Sequence, residues 1–270
     1  MRFGPDDLIL SQYSLRDVDF DERVGVAADA GFAAIGLAAG EFLRLCHQGW
    51  TDDRLLQALD RHGLVVDELE ALRLDGSRRN EDVMWHMADL FGASHVHVLG
   101  PYSGDLGAGV DELDRIADAG REHGVRVAIE FFPPTNVPDV ATASEMVVAS
   151  RRDIGLCVDT WHHFRGAHDW VALGALAPDQ VVSIQINDGA AEPRVPDYLE
   201  DTLSNRLPPG EGDFDLVRFV RTLDSIGVVA PYSVEVMSAT PAAPDPGALA
   251  TLLADRTRRV LAEARNRAAG

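Results

Sequence analysis

Two hydrophobic rhythms take turns along this chain. Short runs of aliphatic and β-branched residues have the length and character of strands buried on both faces. They are Leu8–Leu15, Phe32–Ala38, Leu64–Leu72, His95–Leu99, Val125–Phe132, Ile154–Asp159, Val181–Asp188 and Tyr232–Met237. Between and after them, apolar residues recur three and four apart, as on the inner face of a helix. That spacing predicts helices at Asp21–Ala30, Thr51–His62, Asn80 to Phe91, Val110–His123, Ala141–Ser150, Trp170–Leu176, Phe214–Ile226 and Pro246–Ala268. Thr51 and Asn80 are N-cap candidates, and Gly31, Gly63, Gly92, Gly124 and Gly227 stand where helices should stop.

Eight strand-like runs, each followed by helix, are the grammar of parallel βα units, and eight such units close into a barrel. The expected fold is therefore α/β, a single (β/α)8 TIM barrel over residues 1–270, since no linker or low-complexity stretch divides the chain. The alternative is an open doubly wound sheet. That fold usually carries a Gly-rich phosphate loop after its first strand, whereas here the first run leads into Gln12-Tyr13-Ser14-Leu15-Arg16-Asp17.

Composition narrows the partners. The 270 residues are 46% apolar, and 44 acidic against 24 basic side chains leave a net charge of −20. Such a surface repels phosphate backbones and anionic headgroups, so the expectation is a small-molecule substrate, with no nucleic acid and no membrane. The same acidity also serves solubility. Two cysteines, Cys46 and Cys157, give no disulfide framework. No stretch approaches the ~20 apolar residues of a membrane span, and no signal-type segment opens the chain. A cytoplasmic setting is expected, and an exposed helical shell leaves a homodimer open.

The chemistry gathers at the ends of the later strands. Ile154-Gly155-Leu156-Cys157-Val158 runs straight into Asp159-Thr160-Trp161-His162-His163. A carboxylate at the end of a buried strand is costly unless something pairs with it. Three further runs each carry one oxygen ligand, Glu130, Gln185 and Glu235. In a βα barrel, these four side chains sit on neighbouring strands at the C-terminal face and can converge. Three carboxylates crowded together repel one another, and a divalent cation removes the conflict. An oxygen-only set of charge −3 plus one amide suits Mn2+ or Mg2+ better than Zn2+ or Cu2+. The blander alternative is four separate polar residues, each hydrogen-bonded locally.

Five segments carry a resemblance to a known family. They are Ala128-Ile129-Glu130-Phe131-Phe132-Pro133, Gly155 through Arg165, Ile184-Gln185-Ile186-Asn187-Asp188, Arg206 through Leu216, and Ser233-Val234-Glu235-Val236. Together they resemble the sugar phosphate isomerase/epimerase family of xylose isomerase-like barrels. The first half of the chain is similar to it only in βα rhythm. The resemblance implies metal binding by Glu130, Asp159, Gln185 and Glu235, with Glu130 and Glu235 also moving protons. Many members carry histidine where this chain has Gln185. Some relatives, among them 3-dehydroshikimate dehydratases, resemble it in using glutamine.

The remaining candidates are ranked by position. His162 is a candidate to hydrogen-bond a substrate oxygen, to relay a proton, or to orient a ligand. Arg165 and Arg206 are candidate substrate-binding cations for a carboxylate or phosphate, with a surface ion pair as the alternative for each. His163 is expected to be structural and Asp188 to orient its loop. Pro208-Pro209-Gly210-Glu211-Gly212 is a candidate partial lid that places Arg206 over the mouth. Glu70 is a further candidate acid or base if it faces inward, and His97 faces either way. Tyr13, Trp50, Phe132, Trp161 and Phe164 are candidate pocket walls, with core packing as the alternative.

The leading function is a divalent-metal-dependent isomerase or epimerase working through an enediolate. A lyase of the 3-dehydroshikimate dehydratase type begins with the same proton abstraction. An apurinic endonuclease would need more histidine ligands and a basic groove, against the charge of −20. A barrel that has lost catalysis and serves as a scaffold is the fourth reading.

Overall fold

In the computed structural model, which describes residues 2–240 and 245–266, the eight runs form β1 Leu8–Leu10, β2 Ala34–Ala38, β3 Val66–Arg73, β4 His95–Leu99, β5 Arg126–Glu130, β6 Ile154–Asp159, β7 Val181–Ile186 and β8 Tyr232–Val234. Each strand pairs in parallel with the next, and β8 returns to β1, so the sheet closes as a barrel in sequence order. The helices between are α1 Phe20–Asp29, α2 Ala39–His47, α3 Asp52–His62, α4 Glu81–Phe91, α5 Leu106–Glu122, α6 Val140–Ala149, α7 Thr160–Arg165, α8 Trp170–Gly174, α9 Tyr198–Ser204, α10 Leu216–Ser225 and α11 Pro246–Asn266. Arg267 and Ala268 of the expected last helix lie outside the described residues. No described helix is long and apolar enough to cross a membrane.

Local chemistry accounts for the boundaries. Gly31, Gly63, Gly92, Gly124 and Gly227 all take positive φ, between 60° and 83°, at or just beyond helix ends. Thr51 caps α3, its hydroxyl accepting from the Arg54 N–H at 3.3 Å. Asn80 precedes α4 but makes no side-chain cap, because its own backbone is left-handed at φ 67°. The first strand ends at Leu10 rather than Leu15. Ser11 accepts a hydrogen bond from the Tyr13 N–H at 3.3 Å and starts a 3-10 turn over Gln12–Leu15. The short helices α2 and α7 follow their strands without a break, and α9 lies within a loop, so no pause in the pattern announces them.

The apolar core lies between sheet and helices. Leu37, Val96, Ile129 and Leu156 of the strands pack with Leu59, Leu113, Phe219 and Leu253 of the helices. The lumen is different in kind. A barrel interior is ordinarily filled by bulky branched side chains, but here Glu68 on β3 accepts hydrogen bonds from Ser183 on β7 and Ser233 on β8. Those strands are not neighbours of β3, so these bonds cross the interior. Gly36 leaves room for this acid, since a Cβ there would stand 2.8 Å from Glu68 Oε1. Ala128, Cys157 and Val182 form a small apolar cluster separate from the main core.

Val182 is turned inward by a register shift. Leu156 lies opposite Val181 but Cys157 opposite Ser183, so β7 carries one extra residue. The space for it is Gly155: a Cβ there would meet Val182 Cγ2 at 1.8 Å and the Gln180 carbonyl oxygen at 3.0 Å. Gly155→Ala is therefore expected to lower stability by about 2 kcal/mol through overpacking. Urea unfolding should show a lower midpoint at unchanged slope, with partial recovery in Gly155→Ala/Val182→Ala.

Candidate metal centre and catalytic site

The four oxygen-bearing side chains expected at strand ends stand there. Glu130 closes β5, Asp159 closes β6, Gln185 is next to last in β7, and Glu235 follows directly on β8. All four are buried. Asp159 lies level with Gln185, and Gln185 with Ser233, so Glu235 rises two residues above that layer.

Asp159 divides its carboxylate between two tasks. Oδ1 caps α7, accepting from the Trp161 N–H at 2.7 Å, and also accepts from Asn187 Nδ2 at 2.9 Å. Oδ2 faces the lumen, 3.0 Å from Arg206 Nη1 and 3.4 Å from His162 Nε2. His162 Nε2 is also 3.1 Å from Glu130 Oε1, while its Nδ1 lies 2.7 Å from the Tyr198 hydroxyl. Arg206 Nη1 donates to Glu235 Oε2 at 2.8 Å, and its Nε donates to the Thr202 carbonyl at 3.2 Å. Gln185 Nε2 and Ser11 Oγ both donate to Glu235 Oε1, at 3.2 and 3.3 Å, and Ser11 Oγ also lies 3.5 Å from Glu70 Oε1. One connected network thus joins the ends of β1, β3, β5, β6, β7 and β8.

The electrostatics follow from so many acids in one enclosure. Burial raises the Glu235 carboxyl most. Arg206 pulls it down, and Asp159, Glu130 and Glu68 push it back, leaving it at about 8. Glu70 is driven well above the usual carboxylate range by burial and then by Glu235, Glu68 and Glu130. The Tyr13 phenol rises for similar reasons, through burial and then Glu70 and Glu235. Burial opposes the charge on Arg206, but Asp159, Glu235 and Glu130 outweigh it and hold the guanidinium firmly protonated.

The donor set fits a divalent cation. Glu130, Asp159 and His162 each offer a ligand atom, and these lie within 4.8 Å of one another. Gln185 Oε1 is buried with no hydrogen-bond partner, an orphaned acceptor beside the carboxylates. An imidazole in ligand range makes the set less purely hard than four oxygen atoms alone.

Some expected residues sit elsewhere. Arg206 is no surface pair: it is 1% exposed and inside the network, at the edge of a cavity. Arg165 does not reach the network. Its Nε pairs with Asp201 at 3.3 Å, and its guanidinium lies over the rings of Trp161 and Phe214. His163 is buried among Phe164, His168, Trp170 and Phe219, a structural position. Asp188 accepts from the backbone N–H groups of Gly189, Gly210 and Phe214, at 2.8, 2.9 and 3.1 Å. The Pro208–Gly212 stretch is therefore fastened down, and the chain leading into it carries Arg206 into the lumen instead of over the mouth. Glu70 and His97 both face inward, Glu70 within the network and His97 deeper. Trp50 and Phe164 pack against the apolar core, while Phe132 places its ring 4.9 Å from that of His162.

Tyr13 borders two cavities at the C-terminal face. One, of about 480 Å³, also involves Gln12, Glu70, Arg73 and Arg79. The other, of about 460 Å³, involves Arg16, Arg194 and Arg206. Ser11 and Tyr198 are not legible as site residues in the sequence. The overlong first run hides Ser11 in its middle, and Tyr198 lies in a short helix with no local motif.

Comparison with known proteins agrees with this fold. The sequence profile of xylose isomerase-like TIM barrels matches residues 24–256. The inosose isomerase of Bacillus licheniformis is 28% identical over 130 residues, 47% of this chain and 45% of that protein. The match thus spans less than half the length of that curated relative. Among solved structures, the IolI protein with a bound zinc atom superposes with a TM-score of 0.84 at 19% identity, over 95% of this chain and 98% of the other. An L-ribulose 3-epimerase gives 0.71 at 16% identity, over 99% and 97%. The probable 3-DHS dehydratase AsbF of Bacillus anthracis gives 0.74 at 16%, over 93% and 98%. At these identities the structures speak for the fold.

Removing one partner of a buried ion pair strands the other charge. Arg206→Gln is expected to destabilise the protein by roughly 3 kcal/mol at pH 8. The loss raises the folded-state pKa of Glu235 further above its unfolded value. The folded variant then binds extra protons as pH falls, so its deficit against wild type should narrow toward pH 5. Chemical denaturation of both proteins at the two pH values measures this; a deficit that widens on acidification would refute the pairing.

Proposed function

The chain belongs to the xylose isomerase-like TIM barrel family, and on that footing we propose that it is a divalent-metal-dependent isomerase or epimerase of a small ketose, polyol or sugar phosphate. The observation that carries the reading is the Glu235 carboxyl. Arg206, Gln185 and Ser11 fix both its oxygens in the lumen where Glu130, Asp159 and His162 also converge. A carboxylate held in one orientation beside that donor set is placed to take a proton from a substrate carbon.

Glu130, Asp159, Gln185 and Glu235 are the residues that would hold the cation, with His162 beside them. Bound there, a divalent ion supplies Lewis-acid polarisation of a substrate carbonyl. The chain's own groups do the rest. Glu235 removes the proton beside the carbonyl, giving an enediolate. Glu130, on the far flank and 3.1 Å from His162 Nε2, delivers a proton to the opposite face or to the neighbouring carbon. The first outcome is epimerisation and the second isomerisation. Arg206 Nη1 holds Asp159 and Glu235 in place, and the Arg206 guanidinium and His162 beside them are the candidates to meet substrate hydroxyl or carbonyl oxygens. Arg165, held by Asp201, serves instead to brace Trp161 beneath the site.

A lyase is the second reading. Gln185 in place of histidine favours it, as does the likeness in fold to the probable 3-DHS dehydratase. The first step is common to both, and the fate of the β-hydroxyl separates them.

Deuterium exchange followed by NMR tests both. Purified protein with Mn2+, Mg2+ or Zn2+ is incubated in D2O with ketoses, sugar phosphates, inososes and 3-dehydroshikimate. Deuterium beside the carbonyl of recovered substrate or its isomer is expected, with the rate falling ~10²-fold or more in Glu235→Gln. Loss of water to a conjugated product assigns the lyase instead. No exchange with any of these compounds sinks the isomerase reading.

A further inference from the structure

Below the network lies a second convergence of donors that the proposed chemistry does not use. Glu68 of β3 and His95 and His97 of β4 are each at most 1% exposed. Glu68 Oε2 stands 3.6 Å from His95 Nε2 and 3.6 Å from His97 Nε2. Both separations are longer than a hydrogen bond, and neither Nε2 atom has a hydrogen-bond partner. The carboxylate, by contrast, is held in place. Ser233 Oγ donates to Oε1 at 2.8 Å and Ser183 Oγ to Oε2 at 3.2 Å. Buried imidazoles ordinarily find partners; here two of them aim unpaired nitrogen atoms at one oxygen.

We propose that Glu68, His95 and His97 form a second cation site, of the zinc class, in the floor of the barrel. One ligand atom from each lies within 4.8 Å of the others. Tetrahedral zinc, with bonds near 2.0–2.1 Å, sets neighbouring ligand atoms roughly 3.3 Å apart, close to the 3.6 Å separations already present. Two imidazole nitrogens and one carboxylate oxygen select Zn2+ over Mg2+ or Mn2+. The serine hydroxyls supply the outer support that orients a ligating carboxylate.

Charge points the same way. Even with Glu70 left out of the count, the lumen among the described residues buries Glu68, Glu130, Asp159 and Glu235 against the single guanidinium of Arg206. A cation at the floor offsets an excess that one upper ion does not. Donor atoms continue upward from it, since His97 also lies within 4.8 Å of ligand atoms of Glu130 and Cys157, between the two levels. Its role is structural: it ties β3 to β4 and screens the acids above.

Zinc counting tests the site without reference to catalysis, so failure of the isomerase reading leaves it untouched. Protein saturated with Zn2+ and freed of excess is analysed by inductively coupled plasma mass spectrometry. Wild type is expected to hold two equivalents per chain. One should survive in Glu130→Gln/Asp159→Asn, and one should be lost in His95→Gln/His97→Gln. Since losing two core imidazoles can itself unfold the barrel, Co2+ is also added to Glu130→Gln/Asp159→Asn. Visible d–d absorption that Zn2+ displaces is the expected result. The inference is overturned if wild type saturates at one equivalent that vanishes in Glu130→Gln/Asp159→Asn, or if Co2+ gives that variant no such absorption.

Discussion

The structure turns on a Coulomb conflict. Five carboxyl groups share the lumen of one closed sheet, and two unit charges 4 Å apart at an effective dielectric near 20 repel by about 4 kcal/mol. They cannot all ionise unaided. Arg206 answers for Asp159 and Glu235, His162 stands between Glu130 and Asp159, and Glu70 is pushed well above the usual carboxylate range. The positions of these helpers follow from the acids, not the reverse. A loop beyond β7 is pinned by Asp188 so that Arg206 arrives where the repulsion is worst.

The conflict is tolerable because the fold keeps its hydrophobic free energy elsewhere. Leu, Ile, Val and Phe side chains fill the layer between strands and helices, which leaves the lumen free to be polar. Small residues make the room: Gly36 beside Glu68, and Gly155 beneath Val182. The register shifts at Leu69/Leu72 and Leu156/Cys157 adjust which side chains face in. A lumen packed with branched aliphatics would be more stable and chemically inert.

Much of this is readable from sequence, for identifiable reasons. Strand and helix periods differ, and glycine stops separate them, so the barrel is legible. The strand-end acids are legible because a buried apolar run that ends in Glu or Asp has few benign explanations. Arg206 reads as a rim cation because a loop's descent into the lumen depends on backbone hydrogen bonds from Gly210 and Phe214 to Asp188, which no local pattern encodes. Arg165 misleads in the same way: its partner Asp201 lies 36 residues on, in a helix the pattern does not announce. Ser11 and Tyr198 join the site by tertiary contact alone. The Glu68–His95–His97 cluster is half visible: the acidic run in the third strand stands out, but its pairing with the fourth strand needs the register.

Asp159 carries a consequence of its own. One oxygen is committed to the backbone of α7 and to Asn187, so the carboxylate has no rotational freedom left. Its other oxygen is consequently presented at a fixed bearing whatever occupies the lumen. The orientational entropy of that side chain was surrendered when the chain folded, and whatever the carboxylate meets in the lumen is not charged for it again.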